Sequence, residues 1–187
     1  MAHEEEIFSR DLERYSKKIF PEYRYVPGIH PHPMRDEEGH SFGIEEGEIE
    51  SWSVDEWEGN EEYLYGIDLY NNHYYWESHE AWEGLWRAVK PHSNPHKFIQ
   101  GLIKLSASIL KIRMAKQVPM DLVGAQRLAK SGFALLEPVK DYKKIYMGVE
   151  IQTHLKRMKK YLEPVLNDEI IEVNKDVPII ELKLLDE

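Results

Sequence analysis

With 187 residues, 42% hydrophobic and 31% charged, the chain is long enough for one domain with a real core and has the composition of a soluble globular protein. It contains no cysteine, which excludes disulfides, thiolate nucleophiles, cysteine-type zinc sites and iron–sulfur clusters. The formal net charge of −10 hides three blocks: residues 1–96 carry 8 basic and 22 acidic side chains, residues 97–160 carry 14 and 4, and residues 161–187 carry 2 and 8.

Charge blocks of this kind pack against one another within a fold or across a homodimer. The basic block spreads its lysines along helices without a nucleic-acid motif, so nucleic acid is not the expected partner. No apolar run is long enough to span a bilayer, and the acidic start MAHEEEIFSR is unlike a signal peptide. The expected setting is therefore cytoplasmic, with no membrane partner.

Residues 4–20 place Ile7, Phe8, Leu12, Tyr15 and Ile19 at helical spacing, which predicts a short helix ended by Pro21. Residues 21–58 are rich in proline, glycine and acid, with aromatics between them; this predicts an ordered arm lying on the body. Asn60 is an N-cap for a helix through Tyr70, with Glu61 and Glu62 in its first turn. Asn71 and Asn72 interrupt it, and the next helix runs from His73 to Ala88. Asn94 and Pro95 start a fourth, to about Lys116, apolar nearly all round and so expected at the centre of a bundle. Its small residues Gly101, Ser106, Ala107 and Ser108 allow a close neighbour. A fifth helix begins at Pro119 and is expected to end at Glu137, before Pro138. A sixth spans Glu150 to Leu162. The tail VPIIELKLL alternates like a strand and needs a partner, on this body or on another subunit. The pattern predicts an all-α bundle of about five or six helices with an ordered, irregular N-terminal arm. It is read as one domain, divided into helix and arm (1–58), core (59–138) and C-terminal helix with tail (139–187).

The chemistry concentrates in Tyr70–Trp86, YNNHYYWESHEAWEGLW. At about 100° per residue, His79 and Glu83 point the same way with Trp86 close beside them. Tyr75 and Trp82 flank that line, Glu80 turns aside, and Glu77 points nearly opposite. An ionisable pair thus sits within an aromatic stripe, where a helix normally buries apolar groups.

The pattern H-x-x-x-E-x-x-W at His79, Glu83 and Trp86, with the preceding YYWES and the following FIQGLIKLSAS, resembles the family known as domain of unknown function 309. The resemblance runs from about Tyr65 to about Leu136. The arm YVPGIHPHPMRDEEGHSFG looks like that of a longer subgroup. The resemblance implies a compact all-helical domain and a metal-binding or other functional role for His79, Glu83 and Trp86, without implying a reaction. Ser78 stands where the family usually has alanine.

His79 and Glu83, one turn apart, can reach one divalent ion. HEAWE is not a zincin motif, because the second imidazole of H-E-x-x-H is missing. Further ligands would come from elsewhere: the candidates are His73, His96 and His154, and from the arm His30, His32 and His40, two of which share the stiff HPHP segment. The alternative is a structural His–Glu pair bonded within itself and to Gln100, or Glu83 paired with Arg87.

Three functions follow: metal-assisted, hydrolytic chemistry with His79 and Glu83 as ligands and Glu80 as general base; a small-molecule pocket lined by Tyr75, Trp82, Trp86 and Gln100; or a non-catalytic interaction module, self-associating as a homodimer. The polar site is expected to be closed over by the arm. No nucleophile elbow, Walker loop or dinucleotide-binding glycine fingerprint is present.

Overall fold

The computed structural model describes residues 10–44, 52–115, 118 and 121–184. Five α-helices form the described body: α1 (Glu61–Asn71), α2 (Tyr75–Ala88), α3 (Asn94–Ala115), α4 (Asp121–Tyr142) and α5 (Ile151–Leu166). A 3-10 turn, Val54–Gly59, precedes α1, and a hairpin of two short strands, β1 (Ile145–Tyr146) and β2 (Val149–Glu150), links α4 to α5. The class is all-α, as the apolar periodicities require.

Local chemistry sets most of the boundaries. The Asn60 side chain accepts the Tyr63 backbone N–H at 3.0 Å and starts α1. Asn72 and His73 make the turn into α2, with His73 in the left-handed region at φ 68°. The cap of α3 is Ser93, one residue earlier than the sequence suggests: its Oγ accepts from the His96 N–H at 3.4 Å and its carbonyl from the Lys97 N–H at 3.0 Å. The hairpin turns on Met147 (φ 48°) and Gly148 (φ 75°), and a Cβ on Gly148 would lie 2.5 Å from the Trp57 ring.

Helix α3 is the centre of the bundle, packed against α2 on one side and α4 on the other. Its crossing with α4 is close because both helices carry glycine there. A Cβ on Gly101 would meet Leu136 at 2.6 Å, and one on Gly132 would meet the Gly101 carbonyl at 3.1 Å. Contrary to expectation, α4 does not stop before Pro138 but continues to Tyr142. Proline removes one helical N–H; that loss is offset by fully burying Val139 and by an ion-pair cluster on Glu137, which holds Lys140 and, at 2.5 Å, Lys159. Pro164 is likewise inside α5.

The expected N-terminal helix is absent from its described part: residues 10–20 are irregular and extended, while residues 4–9 lie outside the described residues. The reason is Asp68, buried on α1. Its carboxylate accepts the backbone N–H of Tyr15 (3.0 Å) and of Ser16 (2.8 Å), with Arg14 Nε at 3.3 Å. These donors point outward to a neighbour, so they are not available to a helix of their own. Ile19, a member of the apparent apolar stripe, is 88% exposed.

The C-terminal tail lies on its own body. Asn71 on α1 clamps Ile180 from both sides, accepting its N–H at 2.7 Å and donating to its carbonyl at 2.8 Å. Leu182 bridges Val149 of β2, and the Lys183 N–H donates to Gly148 at 2.8 Å. Val177, Ile180 and Leu182 are buried. Acidic tail and basic helix meet at Glu181–Arg157, 2.9 Å.

The arm is ordered over residues 21–44; Tyr25 and Val26 are buried in it, and Tyr25 meets Trp76 edge-on at 5.3 Å. No described helix is long and apolar enough to cross a membrane.

Candidate functional site

Helix α2 presents two polar faces, separated by a buried seam. Trp82 and Leu85 are fully buried, and the Trp82 indole N–H donates to the Tyr63 carbonyl at 3.2 Å. Ser78 faces α3, where its Oγ lies 2.7 Å from the Oγ of Ser106, which in turn donates to the Tyr75 carbonyl at 2.9 Å. Ser78 therefore has a buried partner on α3. With this seam fixed, the helical period turns His79, Glu83 and Trp86 to one flank and Glu77 to the other, with Trp76 and Glu80 between them.

On the first flank, His79 Nδ1 lies 3.1 Å from Glu80 Oε1, and His79 Nε2 lies 3.7 Å from Glu83 Oε2. One ligand atom from each of His79, Glu80 and Glu83 falls within 4.8 Å of the other two; among the described residues this is the group able to hold a metal ion. The side chains are 31%, 22% and 27% exposed, so they are neither core nor facing bulk water. Beside them is a pocket of about 210 Å³, walled by His79, Glu83 and Trp86 from α2, by Gln100, Ile103, Lys104 and Ala107 from α3, and by Leu128 from α4. Arg87 Nη2 holds the other Glu83 oxygen at 2.6 Å.

The expected ligand-lining residues divide. Trp86 and Gln100 wall this pocket. Trp86 is half-buried, its indole Nε1 has no hydrogen-bond partner among the described residues, and its ring lies 5.0 Å from His96. Tyr75 and Trp82 instead belong to the core: Tyr75 is 1% exposed and its hydroxyl lies 2.8 Å from His73 Nδ1.

The other histidines do not converge on this cluster. His73 is fully buried in the α1–α2 turn, where burial first, and then the positive charges of Arg10, Arg24 and Arg113, lower its pKa to about 2. His154 is buried on α5, with its pKa lowered to about 4 by burial and by Arg157. Burial and neighbouring His92 lower that of His96.

Nor does the described part of the arm close over His79 and Glu83, since it contributes no wall to their pocket. It covers the opposite flank of α2, where its histidines meet aromatic rings: His30 stacks on Tyr23 (5.3 Å), His32 meets Trp76 edge-on (5.6 Å), and His40 packs on Tyr23 (4.6 Å). His30 Nδ1 and His32 Nδ1 accept backbone N–H groups of Val26 and Met34, both at 3.2 Å. Pro31 follows His30, and Pro31 and Pro33 flank His32, whose carbonyl then accepts the Arg35 and Asp36 N–H groups and opens a turn.

Sequence reasoning missed Glu77. It is 5% exposed and accepts the Tyr25 N–H at 2.8 Å, with His40 Nε2 3.2 Å from the same oxygen. Its position opposite His79 was the available signal; its partners, 37 and 52 residues away in sequence, left no local pattern.

The helical hairpin bearing the cluster, together with α3, coincides with a recognised sequence family. The family model described as Domain of unknown function (DUF309) matches residues 63–120. Over this stretch the chain is similar to the DUF309 family. The stretch contains the whole His79–Glu80–Glu83 cluster and every wall of the adjoining pocket except Leu128, and it ends short of the expected limit near Leu136. The arm, α4, α5 and the tail lie outside the matched DUF309 segment. No curated protein and no solved structure matches the chain.

Proposed function

We propose that helix α2 carries a divalent metal site on His79, Glu80 and Glu83, serving a small ligand in the adjoining pocket. The observation that supports this reading is the convergence of one imidazole and two carboxylates within 4.8 Å, with His79 and Glu83 also walling the pocket. This nitrogen and oxygen donor set suits Zn²⁺, Mn²⁺, Fe²⁺ or Ni²⁺. A bound ion would supply Lewis-acid activation of water or of a ligand oxygen, the chemistry of metal-assisted hydrolysis. The chain's own contribution is positional: Gln100 and Lys104 offer polar contacts, Trp86, Ile103 and Leu128 exclude water, and α3 holds the wall rigid. Glu80 belongs to the donor set in this reading, and not to a separate general base.

The test is elemental analysis of untagged protein, with the His79→Ala variant alongside. Stoichiometric metal in the wild type, reduced in the variant, is the expected result. Metal-free protein that stays so after exposure to each ion would overturn the proposal. A second reading has its own observation: Arg87 pairs with Glu83 at 2.6 Å, as in a structural i, i+4 network on a helical binding module. It predicts a His79→Ala variant that changes stability and not metal content.

A further inference from the structure

The opposite flank of α2 holds a second cavity, of about 410 Å³, between α1, α2 and the arm. Glu77 is part of its wall. This carboxylate is 5% exposed, and its two oxygens are used unequally: Oε1 receives both the Tyr25 N–H and His40 Nε2, while buried Oε2 has no hydrogen-bond partner among the described residues. A buried carboxylate oxygen without a donor costs free energy that a ligand donor would recover. The His40 side chain is itself only 5% exposed and is held by Ser41 Oγ at 2.8 Å, so the arm contributes a built wall and not a passing contact.

The remaining walls indicate the sign of that ligand. Glu62 and Glu80 add two further carboxylates, while Tyr65 and Trp76 add aromatic surface. Among the described residues Lys18 is the one lysine or arginine in the wall; its ammonium pairs with Glu62 and lies 5.3 Å from the Tyr65 ring centre. The cavity thus already recognises one ammonium by carboxylate plus aromatic ring, which is how proteins bind organic cations. Its volume is in the range of small-molecule sites.

We propose that this cavity binds the primary ammonium group of a small organic amine, with Glu77 Oε2 as its principal acceptor. The cavity shares Glu80 with the proposed metal cluster, but its principal acceptor, Glu77, lies outside that cluster, so amine binding does not require a bound metal. Calorimetric titration of the full-length protein with 1,4-diaminobutane tests it, with 1,4-butanediol as the uncharged control. The diamine should bind saturably in the presence of chelator and raise the melting temperature, and the diol should not.

Glu77→Gln keeps an oxygen for the Tyr25 N–H and should weaken diamine binding about tenfold or more. Ala81→Leu, one turn from Glu77 on α2, fills the cavity while leaving the carboxylate in place; it should also abolish binding and covers the case in which Glu77→Gln does not fold. Absence of saturable binding up to roughly 10 mM diamine, where even a millimolar Kd would show, overturns the proposal. So does equal binding by diol and diamine, or by wild type and Ala81→Leu.

Discussion

Acidification provides a quantitative test of the core. Folding holds His154 neutral, with its pKa lowered to about 4 chiefly by burial. In the unfolded chain the same imidazole titrates near its ordinary value of about 6.5. Below that value the unfolded state binds the proton that the folded state refuses, so stability falls as pH falls, and it keeps falling until the folded pKa is reached. Linkage between these two values gives a loss of about 2 kcal/mol between pH 7 and pH 5. His73, lowered to about 2 by burial and three arginines, adds a loss of similar size over the same interval, about 2 kcal/mol. Urea unfolding followed by circular dichroism at pH 7, 6 and 5 reads this directly. With a slope of about 2 kcal/mol per molar, each histidine moves the midpoint by about 1 M. The His154→Leu variant should lose its share of the pH dependence while keeping that of His73. Equal pH dependence in wild type and His154→Leu would refute the view that burial holds this ring neutral.

Three further outcomes follow from named contacts. Asp68→Ala should detach residues 10–20, lowering stability by about 3 kcal/mol and exposing Arg14 and Lys18 to trypsin, because the Tyr15 and Ser16 N–H groups lose a charged acceptor. Ser78→Ala and Ser106→Ala should each cost about 1 kcal/mol in urea unfolding, because both hydroxyls reach the Tyr75 carbonyl and each other. Arg87→Ala should leave stability within about 1 kcal/mol, since the pair is exposed, and should tighten metal binding by freeing a Glu83 oxygen.

Much of the scaffold can be read from sequence because its causes are local. Asn60 caps α1 through its own side chain, and α3 has to be central because its apolar residues surround all but a stripe at Lys97, Lys104 and Lys111. The flank shared by His79, Glu83 and Trp86 follows from helical period alone, and the structure brings those side chains to one pocket. Legibility ended where distant partners intervened. The spacing of Leu12, Tyr15 and Ile19 suits a helix, but Asp68, more than fifty residues on, takes the backbone donors that such a helix would need. Pro138 is a sound local stop signal that Val139 burial and the lysines around Glu137 override. The arm's histidines could not be assigned to a flank of α2 from their spacing, and they lie across the helix from the cluster they were expected to complete. Glu77 was invisible for the same reason, because His40 and Tyr25 define its role.

The most direct measurement is calorimetric titration of Zn²⁺ into metal-stripped wild type and His79→Ala. The metal reading predicts one site in the wild type and an affinity lower by at least about tenfold in the variant. Equal binding by the two proteins, or no binding by either, would contradict it.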